Sequence, residues 1–152
     1  MNLLKRTGRA RAKIKYDAHI GYAILGKTAL ALEDLASAEK HLYTMAQFGD
    51  PNWKHDLCLA RLLLERNRKT AVCDYLALCR RNFVRRLKQL ERFDADEYKL
   101  PALVSMQRDW INPQMTLTDF QRTKIGSQIE DIDQWITSIS KGRRCLLPDS
   151  IA

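Results

Sequence analysis

YAILGKTALALEDLASAEKHLYTMAQFGDP, Tyr22 to Pro51, is the stretch that decides the fold. Tyr22, Leu25, Ala29 and Leu32 recur at helical spacing, and so do Leu35, Ala38, Leu42 and Met45. The break between them falls at Glu33-Asp34, where the Asp34 carboxylate is placed to accept from free first-turn amides of a second helix. Gly49-Asp50-Pro51 stops that helix. The expected object is a tight hairpin of two amphipathic helices. Gly26, Ala29 and Ala38 sit at the crossing, where small residues let backbones approach, and larger neighbours supply the ridges.

Working outward, Ile20 and Ile24 form a second apolar edge on the first helix, which is expected to start near Asp17. Trp53 to Glu65 reads as a third helix with Leu59, Leu62 and Leu63 on its core side. A polar turn at Arg66 to Lys69 precedes the longest pattern in the chain: Val72, Leu76, Cys79, Phe83, Leu87 and Leu90, one apolar face of five or more turns. Pro101 and Pro113 bracket a less regular stretch, with Leu103, Met106 and Trp110 spaced as a short helix. Ile125, Ile129, Ile132, Ile136 and Ile139 mark the last helix, capped by Thr116 or Thr118 and closed by Lys141-Gly142.

Tyr22, Leu25, Gly26, Ala29, Asp34, Leu35, Ala38, Leu42 and Pro51 together resemble the tetratricopeptide repeat, a helix-turn-helix unit with a period of about 34 residues. Ala29 stands where that family usually has an aromatic, and Pro51 falls one residue late. A second, weaker copy runs from Trp53 to Arg80 through Leu59, Ala60, Leu63, Ala71 and Tyr75, with a one-residue slip of register. A looser likeness to small uncharacterised bacterial repeat proteins lies in Ala38-Glu39-Lys40-His41-Leu42, Leu63-Leu64-Glu65-Arg66 and Tyr75-Leu76. The expected class is therefore all-α: antiparallel helical hairpins, tetratricopeptide-like, with C-terminal capping helices, since two copies fall short of the three that usually stack stably. The resemblance implies a groove lined by the first helix of each repeat, here Ile20, Ala23 and Lys27 with Lys54, Leu57 and Arg61. Lys27, Lys54 and Arg61 would make it basic and suited to an acidic peptide.

A chain of 152 residues is one domain by size. We expect a basic, flexible arm over 1–16, a single helical domain over 17–142 and a tail over 143–152. No apolar run approaches the roughly 18 residues a membrane helix needs, and the basic N-terminus lacks the apolar core of a secretory signal. Four cysteines without paired spacing fit reduced thiols, hence a cytoplasmic protein. The net charge is +8, and Lys5, Arg6, Arg9, Arg11, Lys13 and Lys15 all precede the first acid, Asp17.

Arg81, Arg85, Lys88 and Arg92 recur at four, three and four residues on the side of the fourth helix opposite its apolar stripe. Such a ridge suits phosphates or the carboxylates of an acidic partner. Gly21, Gly26, Lys27 and Thr28 match the phosphate-loop spacing, yet the residues between them are bulky and helix-patterned, and no strand precedes them. His19, His41 and His55 form no metal motif, and His41 is expected to face solvent. Cys79 reads as a core residue and Cys73 as packed. Cys145, after Arg143 and Arg144, has the electropositive neighbours that would lower a thiol pKa. Glu130, Asp131 and Asp133 form the wet side of the last helix, and Trp135 stands at the edge of its isoleucine stripe.

The sequence thus reads as a non-catalytic protein-protein interaction module, with no catalytic, cofactor or metal site. Its partner-binding candidates are Lys27, Lys54, Arg61, Arg81, Arg85, Lys88 and Arg92. The other reading is a nucleic-acid-binding protein that uses the arm and the Arg81–Arg92 ridge.

Overall fold

The computed structural model describes the backbone of residues 3–48, 55–95 and 117–151, with side chains at 13–48, 55–90 and 119–151. Its elements are α1 (Leu3–Ala31), α2 (Leu35–Phe48), β1 (His55–Asp56), α3 (Cys58–Glu65), α4 (Lys69–Ala95), α5 (Leu117–Ser140) and β2 (Ser150–Ile151). The fold is all-α, with a two-residue antiparallel pairing of β1 and β2 as an accessory. α1 packs on α2, α3 and α2 pack on α4, and α5 packs on α4 as a capping helix. The short helix expected around Leu103 to Trp110 lies outside the described residues.

Three of these helices end the same way. At the close of α1, Glu33 turns left-handed (φ 60). The Asp34 amide then donates to Ala29 O at 2.9 Å and the Glu33 amide to Leu30 O at 3.1 Å, which satisfies carbonyls that the helix leaves open. Asn67 (φ 59) does this after α3, and Gly142 (φ 69) after α5. Asp34 caps α2 as its position predicts, its Oδ1 accepting the Ser37 amide at 3.0 Å. Hydrogen bonds from Ser37 hold the Asp34 carboxyl below its usual range. Glutamate carries a Cβ penalty in this conformation that glycine does not. Glu33→Gly is therefore expected to stabilise the fold by about 0.5–1 kcal/mol, read as a higher urea midpoint.

The buried side of α1 differs from the expected stripe. Leu25 is 51% and Leu32 75% exposed, whereas His19, Ala23, Gly26, Ala29 and Leu30 face the core. The reason is the close approach itself. A Cβ built on Gly26 would overlap Leu59 Cδ2 and lie 3.3 Å from His41 Cβ, so the point of closest approach admits only glycine and the neighbouring Leu25 turns outward. His41, expected to face solvent, is half-buried there. Its ring lies 5.8 Å from that of Tyr22, which stacks in turn on Phe48 at 5.5 Å.

The other stripes hold. Ala38, Leu42, Met45 and Ala46 of α2, Leu59, Ala60 and Leu63 of α3, and Val72, Tyr75, Leu76, Cys79, Phe83 and Leu90 of α4 build one core. On α5 the deepest residues are Ile125, Ile132 and Ile139, with Ile129 and Ile136 at the rim. α3 begins at Cys58, later than expected, because His55 and Asp56 are extended and Asp56 Oδ1 accepts the Cys58 amide at 2.7 Å. That bond starts the helix from a side chain two residues upstream.

Both expected end segments change character. Residues 3–16, expected as a flexible arm, are helical and continuous with the rest of α1. Residues 143–151 are not a loose tail: Leu147 and Ile151 are buried in the core, and Ile151 and Ser150 pair with His55 and Asp56. The Leu57 amide donates to Asp149 O at 2.9 Å, which extends the pairing towards α3.

Candidate functional site

The cations singled out from sequence fall into two groups. Lys27 on α1 lies 3.9 Å from Asp56 Oδ2, and Arg61 on α3 donates to Asp149 Oδ1 at 2.6 Å. Two of the three positive charges of the expected peptide groove therefore meet carboxylates of this same chain. Ala23 and Leu57, expected to line that groove, are buried in the core, and Lys54 lies outside the described residues. Arg68 is likewise paired with Glu39, and Arg80 grips Asp133 of α5 through Nε at 2.6 Å and Nη2 at 3.0 Å.

Arg81, Arg85 and Lys88 are different. All three are exposed on the outer side of α4, held there because Cys79, Phe83 and Leu87 on the opposite side anchor the helix in the core. No ion pair engages them among the described residues. From Arg81 to Lys88 the ridge spans about 10 Å of helix. Arg92 is on the same helix, but its side chain lies outside the described residues.

A cleft of about 410 Å³ opens where α1, the start of α3 and β2 meet, lined by Tyr16, His19, Ile20, Asp56, Cys58, Asp149 and Ser150. It brings a thiol, an imidazole and two carboxylates together from three distant segments, which sequence reading did not do. The apolar pair Leu147 and Ile151 inside the supposed tail is the signal from which it could have been found. The chemistry is that of a structural joint. Burial, and then the negative charge of Asp56, pushes the Cys58 thiol up rather than down, the reverse of what an attacking thiolate needs. His19 is buried, and its Nδ1 lies 3.2 Å from Met45 O, which ties α1 to α2. Cys145 is half-buried and its thiol is also raised by burial, so Arg143 and Arg144 do not activate it. Among the described residues no group of three or more His, Cys, Asp or Glu is placed to hold a metal ion.

The phosphate-loop match fails on position. Gly21, Gly26, Lys27 and Thr28 lie well inside α1, whose first turn is far upstream at Leu3. A phosphate cradle needs amides left free at a helix start, and these belong to the helix ladder.

Compared with known proteins, the chain matches no family model, no curated protein and no solved structure. Function rests on the geometry alone.

The deepest ionisable pair has a consequence for pH. Burial raises the Cys79 thiol from 9.0 to about 12 and lifts the Tyr75 hydroxyl, which donates to Asp56 O at 2.8 Å, well above 10. An unfolded chain ionises both at ordinary values, so between about pH 9 and 12 it binds fewer protons than the folded one, and stability falls as pH rises. The urea midpoint is expected to drop between about pH 8 and pH 11, and Cys79→Ala to flatten that slope. An equal slope in the variant would place the titration elsewhere.

Proposed function

We propose that the protein is a non-catalytic helical module that binds an acidic protein segment along the outer side of α4. The single observation that carries this is the contrast among the cations. Lys27, Arg61, Arg68 and Arg80 meet carboxylates of their own chain, while Arg81, Arg85 and Lys88 stand exposed in a row without one among the described residues. Guanidinium groups in a row match carboxylates through paired N–H donors. We also read the α1–α2 hairpin as a tetratricopeptide-like unit. The supports for that reading are the close approach of Gly26 to His41 of α2 and the turn at Glu33-Asp34. The raised thiols and the mid-helix position of the phosphate-loop residues favour binding over catalysis.

Fluorescence anisotropy of a labelled Asp/Glu-rich peptide tests it. The parent chain is expected to bind. Arg81→Glu with Arg85→Glu and Lys88→Glu is expected to abolish binding with the helical circular dichroism unchanged, since all three side chains lie in solvent. Retained binding by the triple variant would remove the ridge from consideration.

The second reading is nucleic-acid binding, and the observation in its favour is that α1 begins at Leu3. Lys5, Arg6, Arg9, Arg11, Lys13 and Lys15 are thereby carried on a continuous helix. A labelled DNA duplex titrated against salt separates the two. A salt slope of roughly −3 would come from the ridge alone and a markedly steeper one from ridge and α1 together, whereas no retention at low salt excludes this reading.

A further inference from the structure

The outward side of α1 carries large apolar residues from Ile14 to Leu25, and on to Leu32 just past its end, interrupted by Asp17. Ile14 is 66% and Ile24 59% exposed, and with Leu25 and Leu32 they flank Gly21 and Thr28 on the side opposite the core. Elsewhere exposed large apolar residues are scattered singly, as Tyr43, Phe120 and Leu146, which is ordinary for any surface. A cluster of them on one helix face is not, and marks an interaction surface.

We propose that a second copy of this chain covers it, α1 against α1, antiparallel about a two-fold axis level with residue 23. This inference is independent of the α4 ridge. Three features of the face point to that occupant. First, it is self-complementary in shape. With the axis at residue 23, Leu25 of each copy lies over Gly21 of the other, and a Cβ built on Gly21 finds nothing within 4 Å, a recess that a leucine side chain fills. The same register sets Ile14 against Leu32. Second, it is self-complementary in charge. Lys13 is exposed at one end of the face and Glu33 at the other, so an antiparallel copy brings Lys13 opposite Glu33 at both ends. Third, those two ends disfavour the other occupant such a face could have. An anionic bilayer would attract Lys13 but repel Asp17 and Glu33, while a second copy sets Lys13 against Glu33. An isologous contact of this kind closes at two subunits.

Sedimentation equilibrium of the full chain tests the proposal. The expected mass is twice the 17.6 kDa of one chain. Leu25→Glu is expected to weaken association by roughly 100-fold, as loss of a central anchor does. The helical circular dichroism should be unchanged, because Leu25 is exposed. The antiparallel register has its own check. Lys13→Glu and Glu33→Lys are each expected to weaken the dimer by about 2–5-fold, and the two changes together to restore it. A dimer indifferent to Leu25→Glu, or a double charge swap that does not recover, would overturn the proposal. So would a parent chain that stays at 17.6 kDa, whether or not it sediments with phosphatidylserine vesicles. In the vesicle-bound case the face belongs to a bilayer.

Discussion

Ending the chain at Leu146 is expected to remove roughly 3–6 kcal/mol of unfolding free energy, because Leu147 and Ile151 each bury an apolar side chain worth about 1.5–3 kcal/mol. Both are nearly inaccessible in the folded protein. The same truncation takes away the pairing of Ser150 and Ile151 with Asp56 and His55, the Leu57-to-Asp149 hydrogen bond and the partner of Arg61. Against a total of about 5–15 kcal/mol for a domain of this kind, the loss is a large fraction. Urea denaturation followed by circular dichroism measures it. Leu146→Ala is the control: its side chain is among the most exposed on the molecule, so it is expected to change stability by less than about 0.5 kcal/mol. A truncated chain as stable as the parent would mean that the last residues lie on the surface.

Gly26→Ala and Gly126→Ala are expected to shift stability in opposite directions, although each puts alanine for glycine inside a helix. Helix propensity favours alanine by about 1 kcal/mol in both. At Gly126 nothing lies within 4 Å of the new Cβ, so the propensity gain stands and the midpoint rises. At Gly26 the new methyl meets Leu59, which is itself fully buried and held among core residues, and His41 Cβ on the other side. Forcing these apart costs about 1–3 kcal/mol, which outweighs the propensity gain towards the upper end of that range. The net expectation is a loss of up to about 2 kcal/mol at Gly26 and a gain of about 0.5–1 kcal/mol at Gly126. A gain at both positions would show that α1 and α3 are not in close contact.

These two glycines also show what was legible in the sequence. The helices, their order, the Asp34 cap and the Lys141-Gly142 ending could be read because each depends on residues within a turn or two of one another. The apolar stripes of α2, α4 and α5 could be read because large residues alternate with polar ones there. α1 misled because its buried side is centred on small residues, Ala23, Gly26 and Ala29. A pattern search gives weight to Leu25 and Leu32, yet the helix was brought too close to α3 for them to fit. Nothing in the spacing says which apolar edge of a helix wins when both are available. The distance of approach decides, and that is set by Gly26 together with Leu59 on another helix.

The candidate site was legible to a similar degree. Arg81, Arg85 and Lys88 could be placed on one outward face because the stripe opposite them fixes the helix rotation. That Lys27 and Arg61 meet Asp56 and Asp149 could not, since those pairs depend on how β1 packs against α1 and where the last residues return. Charge alone did not distinguish a cation open to a partner from one already neutralised.

The join between Cys58 and Asp149 spans 91 residues of sequence. A contact that distant must wait until the intervening chain has ordered, and closing it costs entropy before it gains anything. During synthesis α1, α2 and α3 leave the ribosome while β1 still lacks its partner strand, and the core surface that Leu147 and Ile151 cover stays open until they arrive. The order of assembly is thus written into the topology: helical hairpins first, the closing strand last. Until that strand docks, the nascent chain presents apolar surface that the finished protein does not have.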